Sequence, residues 1–117
     1  MEDISRGPEA LEWLRLNKNE SALASNRFGP TSEAIRFVEN LYTLGAERVI
    51  IYQDAIRDDD ETIKLEEGPY ADALTVILPS ESEKREQIWR ICADEISDEG
   101  FDPSEDKGDD AILLWWD

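Results

Sequence analysis

Apolar positions recur along this chain with two alternating periods, and the alternation sets out its elements. In residues 8–16, PEALEWLRL, Leu11 and Leu14 share one helix face. Pro8 suits the first turn of that helix, and Glu9 and Glu12 suit the positive end of its dipole. In residues 31–44, Ile35, Val38, Leu41 and Tyr42 make an apolar stripe that Ala34 and Phe37 widen. Thr31 or Ser32 is placed to cap this second helix and Gly45 to stop it. A third helix opens after Pro79, where Ser80 with Glu83 fits a capping box. Its stripe is Ile88, Ile91, Cys92 and Ile96, and Gly100 follows its end.

The period shortens to that of a strand in three places. Residues 49–56, VIIYQDAI, are rich in β-branched side chains. Residues 70–78, YADALTVIL, put Tyr70, Leu74, Val76 and Leu78 on one face and Ala71, Ala73, Thr75 and Ile77 on the other. The third is the apolar run AILLWW, residues 111–116, in which Trp115 and Trp116 point to opposite faces. Between the first two, residues 57–68, RDDDETIKLEEG, read as a polar connection with a brief strand at 63–65.

The order of turn, helix, glycine stop and strand occurs twice, in residues 29–52 and again in 78–116. With SALASNRF, residues 21–28, counted as a strand, the chain becomes two β-α-β units joined by a hairpin. That plan is α+β: a ferredoxin-like split β-α-β sandwich, with a four-stranded antiparallel sheet, two helices on one face and an extra N-terminal helix. The alternative is a three-stranded sheet with residues 21–28 irregular. Either way, residues 1–20 form an N-terminal helix and connection, and residues 21–117 a single α+β domain. In the four-stranded plan the last strand lies at an edge beside the first. Leucines of the N-terminal helix are then the natural cover for the second sheet face; without a cover, that open face would support a homodimer.

Composition changes this picture through charge. The 117 residues carry a formal net charge of -17 from 29 acids and 12 bases. Residues 1–50 hold 8 acids and 6 bases, while residues 51–117 hold 21 acids and 6 bases. Such a surface repels nucleic-acid backbone and anionic lipid and attracts basic proteins. No run approaches the roughly 18 apolar residues of a membrane span, and the opening residues carry acids where a secretory signal needs an apolar run. One cysteine, Cys92, forms no internal disulfide, which fits a reducing, cytoplasmic setting.

Candidate chemistry is sparse. The chain has no histidine, so the commonest general base and transition-metal ligand are both missing. Cys92 falls on an apolar helix stripe, the place of a core residue and not of a nucleophile. Neither a metal nor another cofactor is expected, and the chain does not read as an enzyme. Asp58, Asp59, Asp60 and Glu61 offer oxygens to a hard cation but read better as a solvated hairpin tip. Residues 102–108, DPSEDKG, approach a calcium loop, with oxygens at Asp102, Ser104 and Asp106; the glycine falls one place late and Leu113 stands where the bidentate Glu belongs.

The acidic surface is the stronger candidate. Asp94, Glu95, Asp98 and Glu99 crowd a helix C-terminus, where anions oppose the dipole at a cost of a few tenths of a kcal/mol each. Together with Asp58–Glu61, Asp102, Trp115 and Trp116, they make the candidate partner-binding set. The expectation is a non-catalytic acidic protein that docks on a basic surface of a protein partner, in the manner of inhibitors and immunity-type proteins. One alternative is a nucleic-acid mimic aimed at a DNA- or RNA-binding protein; another is a small-ligand sensor or minor enzyme. Self-repulsion in the acidic half predicts that added salt raises the melting temperature; thermal scans from low to high sodium chloride check this, and a flat response would mean that the acids are already paired or dispersed.

Overall fold

The structure, a computed structural model, describes residues 4–100 and 108–116. They form an α+β fold with five α-helices and one three-stranded antiparallel sheet. In chain order the elements are α1 (Ala10–Leu16), α2 (Ser25–Phe28), α3 (Thr31–Leu44), β1 (Arg48–Ile51), α4 (Asp60–Glu66), β2 (Ala73–Ile77), α5 (Ser82–Asp98) and β3 (Ala111–Trp115). A single 3-10 turn, Gln53–Ala55, follows β1, so the expected strand 49–56 ends early. The strand order is β1-β2-β3. Ile50 faces Thr75 across one pair, and Thr75 faces Leu113 across the other.

The expected fourth strand does not form among the described residues, and the ferredoxin-like plan is corrected accordingly. Among the described residues, the one β-bridge from residues 21–28 is that of Leu23 to Ala71, in parallel. Ala24 N–H donates to Ala71 C=O and Ala71 N–H to Ala22 C=O, both at 2.8 Å. The chain then turns at Ala24, whose φ of 42° is left-handed, into α2. Because β2 pairs directly with β3, no slot for a further strand lies between them. The segment itself explains this: Ser25, Asn26 and Arg27 break strand alternation, and Ser and Asn favour local turns over a ladder.

The caps also differ from the sequence reading. Glu81 caps α5 by accepting from Lys84 N–H at 2.8 Å and Glu83 N–H at 3.3 Å, in place of a Ser80–Glu83 box. Pro30 precedes α3 without a side-chain cap. Thr31 instead looks backwards: its Oγ1 donates to Asn19 C=O at 2.7 Å and accepts from Ala22 N–H at 2.9 Å. Residues 60–66, read as a polar connection, are helical because Asp59 caps them, accepting from Thr62 N–H at 3.1 Å. Gly45 ends α3 with φ 113°, as a stop glycine should.

One face of the sheet carries the main core. Val49, Ile51, Leu74, Val76, Leu114 and Trp116 meet Leu14, Val38, Leu41, Ile88 and Cys92 from the helices, all buried. Burying each large side chain of this kind contributes about 1.5–3 kcal/mol. Tyr42 joins three elements: its hydroxyl donates to Glu9 of the α1 cap at 2.7 Å and accepts from Val49 N–H of β1 at 3.0 Å. The two hydrogen bonds from backbone N–H groups of Leu11 and Glu12, together with Tyr42, outweigh burial and hold the Glu9 carboxyl below its usual range.

Since α1 lies in this helix layer, its leucines do not cover the second sheet face, which corrects that expectation. The cover comes from the chain before α1. Thr75 Oγ1 donates to Ile4 C=O, and Ile4 and Leu113 pack against Tyr52, Ala55 and Ala73. The same segment then follows the free edge of β1. Gln53 N–H donates to Arg6 C=O and Ile51 N–H to Pro8 C=O, both at 3.0 Å, and Glu9 bridges Ile50. Gly7 permits this close approach: with φ 145°, a Cβ there would lie 1.9 Å from the Ile51 carbonyl oxygen. A Gly7→Ala change is therefore expected to peel the segment from β1 and cost about 2 kcal/mol, measured by chemical denaturation, with hydrogen exchange quickening at the Ile51 and Gln53 amides.

Candidate functional site

The acidic residues singled out from the sequence fall into separate environments. Glu95 turns inward and is only 7% exposed. Its Oε1 accepts from Arg27 Nε at 2.6 Å and from Trp116 Nε1 at 3.0 Å, and its Oε2 from Arg27 Nη2 at 2.9 Å. The two bonds from Arg27 form a bidentate fork, the strongest arrangement for this pair. The guanidinium lies over the Phe28 ring at 4.7 Å and near Phe37 at 5.8 Å. Phe28 in turn meets the edge of Trp116 with ring centroids 5.2 Å apart. Glu95 thus turns its carboxylate away from the surface and locks α2 and the end of β3 onto α5. The physical reason was present in the spacing, since residue 95 follows Ile88 by seven and Cys92 by three on the buried stripe.

This cluster sets the chemistry of its neighbours. The hydrogen bonds to Glu95 raise the Arg27 pKa, and the charge of Asp98 adds to this. Burial, and then the Glu95 charge, push the Cys92 thiol up to about 12. A thiol with that pKa presents almost no thiolate at neutral pH.

The remaining acids at this end of α5 stay outside. Asp94 and Asp98 are exposed and Glu99 is half-buried. Asp58, Asp59, Asp60 and Glu61 are all exposed at the start of α4, a helix N-terminus and not a hairpin tip. Asp59 is the cap: the Thr62 hydroxyl and then its backbone N–H hold the Asp59 carboxyl below its usual range. Asp60 and Glu61 occupy the first turn, where the dipole favours anions. Residues 102–107 of the calcium-like loop, Asp102 included, lie outside the described residues, as does Asp117. Among the described residues, no group of three or more His, Cys, Asp or Glu is placed to hold a metal ion.

The two tryptophans part company as their alternation requires. Trp116 is buried on the helix side at 2% exposure, while Trp115 stands 49% exposed on the other face. Tyr52 lies beside Trp115, with ring centroids 6.4 Å apart, and covers part of it.

A further surface escaped the sequence reading. Trp13 and Leu16 of α1, Asn17 and Lys18 after it, Ile63 of α4, and Glu67, Gly68 and Pro69 line an open groove of about 380 Å³. Its floor is stitched by asparagines. Asn17 Nδ2 donates to Pro69 C=O at 2.8 Å, Asn19 Nδ2 to Gly68 C=O at 3.3 Å, and Asn17 Oδ1 accepts from Asn19 N–H at 2.9 Å. Leu16 is 76% exposed and Ile63 41%. The signal was Leu16 itself, which lies off the Leu11–Leu14 face, but the second wall could not be seen while residues 57–68 were read as a connection.

No protein-family model matches the chain, and no curated protein or solved structure shows significant similarity to it. Glu95→Gln weakens one partner of the Arg27 fork and is expected to cost about 1–3 kcal/mol, a value below that of a fully buried pair because the Arg27 side chain is 39% exposed. Denaturation curves measure the loss. Alkylation of Cys92, followed by mass spectrometry, should be undetectable over minutes in the parent at pH 8 and accelerate in the variant.

Proposed function

We propose that this protein is a non-catalytic acidic module that docks on a basic surface of a protein partner, in the manner of inhibitors and immunity-type proteins. The observation that carries the reading is a set of exposed carboxylates that outnumber the bases beside them. From Arg57 to Glu67 the chain holds six acids and two bases, all exposed. None of the six carboxylates forms an ion pair among the described residues. Asp94 and Asp98 add further exposed charge at the end of α5. Uncompensated charge of one sign steers a partner of the other sign and sets specificity through complementarity.

Two features favour docking over catalysis. The chain contains no histidine, and its one thiol, with a pKa pushed to about 12, is not poised for nucleophilic attack. The reading places direct nucleic-acid binding outside this protein's role, because phosphate backbones and these carboxylates repel.

Affinity capture from the native lysate tests the proposal. The expected outcome is recovery of a basic protein at low salt that is lost in high salt, with weaker recovery by a variant carrying Asp58→Asn, Asp60→Asn and Glu61→Gln. A recovered partner that is acidic and indifferent to salt would overturn it.

A further inference from the structure

The groove between α1 and α4 is an apolar surface with Lys18 on the α1 side and a predominantly acidic helix on the other, and α4 is the unusual wall. That helix spans Asp60–Glu66 and buries none of its residues. A helix this short is marginal by itself in water and ordinarily draws its stability from an apolar face packed in the protein. Here Ile63 is 41% exposed and Leu65 is 72% exposed. The helix is instead held by its ends: Asp59 Oδ2 accepts from Thr62 N–H at 3.1 Å and Asp59 Oδ1 from the Thr62 hydroxyl at 2.7 Å, and the asparagine stitches fix Gly68 and Pro69 just beyond it. Glu67 ends the helix with φ 65°, a left-handed conformation that a non-glycine residue adopts at a cost. The molecule thus spends strain and two asparagine bonds on presenting a helix that buries none of its residues.

Facing it, Trp13 is half-buried and Leu16 projects freely from the end of α1. Two helical walls with apolar side chains between them suit a third helix laid along the groove, its anchors spaced at i, i+3, i+4 and i+7. The charge of the α4 wall selects the kind of helix. Along α4 and its end, Asp60, Glu61, Glu66 and Glu67 outnumber Lys64 and are all exposed; Glu67 lines the groove itself, together with Lys18. An acidic or neutral occupant leaves those carboxylates facing apolar or like-charged groups, and a second copy of this chain would bring a net charge of -17 against another of -17. A basic flank pairs with them.

We infer that this groove receives an amphipathic basic helix of a protein partner, with apolar side chains against Trp13, Leu16, Ile63 and Pro69 and lysine or arginine along the α4 wall. The inference rests on the basic-partner reading above and assigns it a surface. It also alters which acids matter: the carboxylates of α4 are the recognition charge, and Glu95 is excluded from it.

The test uses the full chain and a fluorescein-labelled peptide of Leu and Lys, about 18 residues long with helical apolar periodicity, against a shuffled peptide of the same composition. Fluorescence anisotropy is expected to show the periodic peptide binding about tenfold or more tightly than the shuffled one. Leu16→Ser with Ile63→Ser should weaken it about tenfold, Glu61→Gln with Glu66→Gln should weaken it less, and rising salt should weaken the parent complex. Because both apolar positions are exposed, the variants should keep the parent's near-UV circular dichroism. Backbone NMR shifts on the unaltered protein, expected at residues 13–18 and 63–69, give a readout that needs no variant. Equal, salt-sensitive binding of both peptides would overturn the groove and leave the acidic docking reading standing. Binding of neither peptide would overturn both. Periodic binding that ignores salt would overturn the basic partner. Concentration-dependent self-association abolished by Leu16→Ser would give the groove to a second copy and overturn the inference.

Discussion

A carboxylate taken out of water must have its oxygens satisfied by the protein, and Glu95 imposes that requirement on three elements at once. Arg27 supplies the fork and Trp116 the third hydrogen bond. Breaking such a buried pair costs far more than forming it gains, so its worth lies in specifying an arrangement. Helix α2 is only four residues long, yet Arg27 and Phe28 on it are pinned between α5 and the end of β3. In a chain with 29 acids and 12 bases, one base is committed to the single acid buried among the described residues. The other carboxylates are left to the surface, which divides the charge into a structural member and a displayed majority.

The sequence declared those elements whose physics is local. Helix α3 was legible to the residue because its apolar stripe, its acidic first turn and Gly45 agree. The alternation in Ala73–Ile77 and Ala111–Trp115 was clear because apolar residues dominate both runs. What escaped was decided at a distance. The symmetry of two halves suggested a strand at residues 21–28, but Arg27 has its partner 68 positions away in Glu95, and that partnership needs a helical turn. Helix α4 was missed because it has no apolar stripe directed at a core; its helicity comes from the Asp59 cap. The acids at the end of α5 looked like one group, yet the same helical spacing that places Cys92 inside also turns Glu95 inward.

The surface follows from these placements. With the helix layer closed by α1, α3 and α5, the segment before α1 is free to cross the other side of the sheet, and Ile4 and Thr75 meet there. The connection after α1 then ties to Gly68 and Pro69, which draws α4 alongside without letting it into the core. A helix excluded from the interior but anchored at both ends carries its carboxylates and its two apolar side chains outward together. Charge and apolar surface of this kind are usually kept apart on a soluble protein; here one short element unites them.

The residues from Arg6 to Pro8 occupy the backbone groups along the outer side of β1, whereas β3, at the opposite margin, pairs only with β2 among the described residues. Growth of a fibril by strand addition requires each molecule to offer two unpaired margins, one to receive a neighbour and one to extend. A sheet with a single such margin joins one neighbour, strand to strand, and then has nothing further to offer. The small contact made by Gly7 therefore bears on polymerisation as much as on stability: it takes the β1 margin out of strand addition.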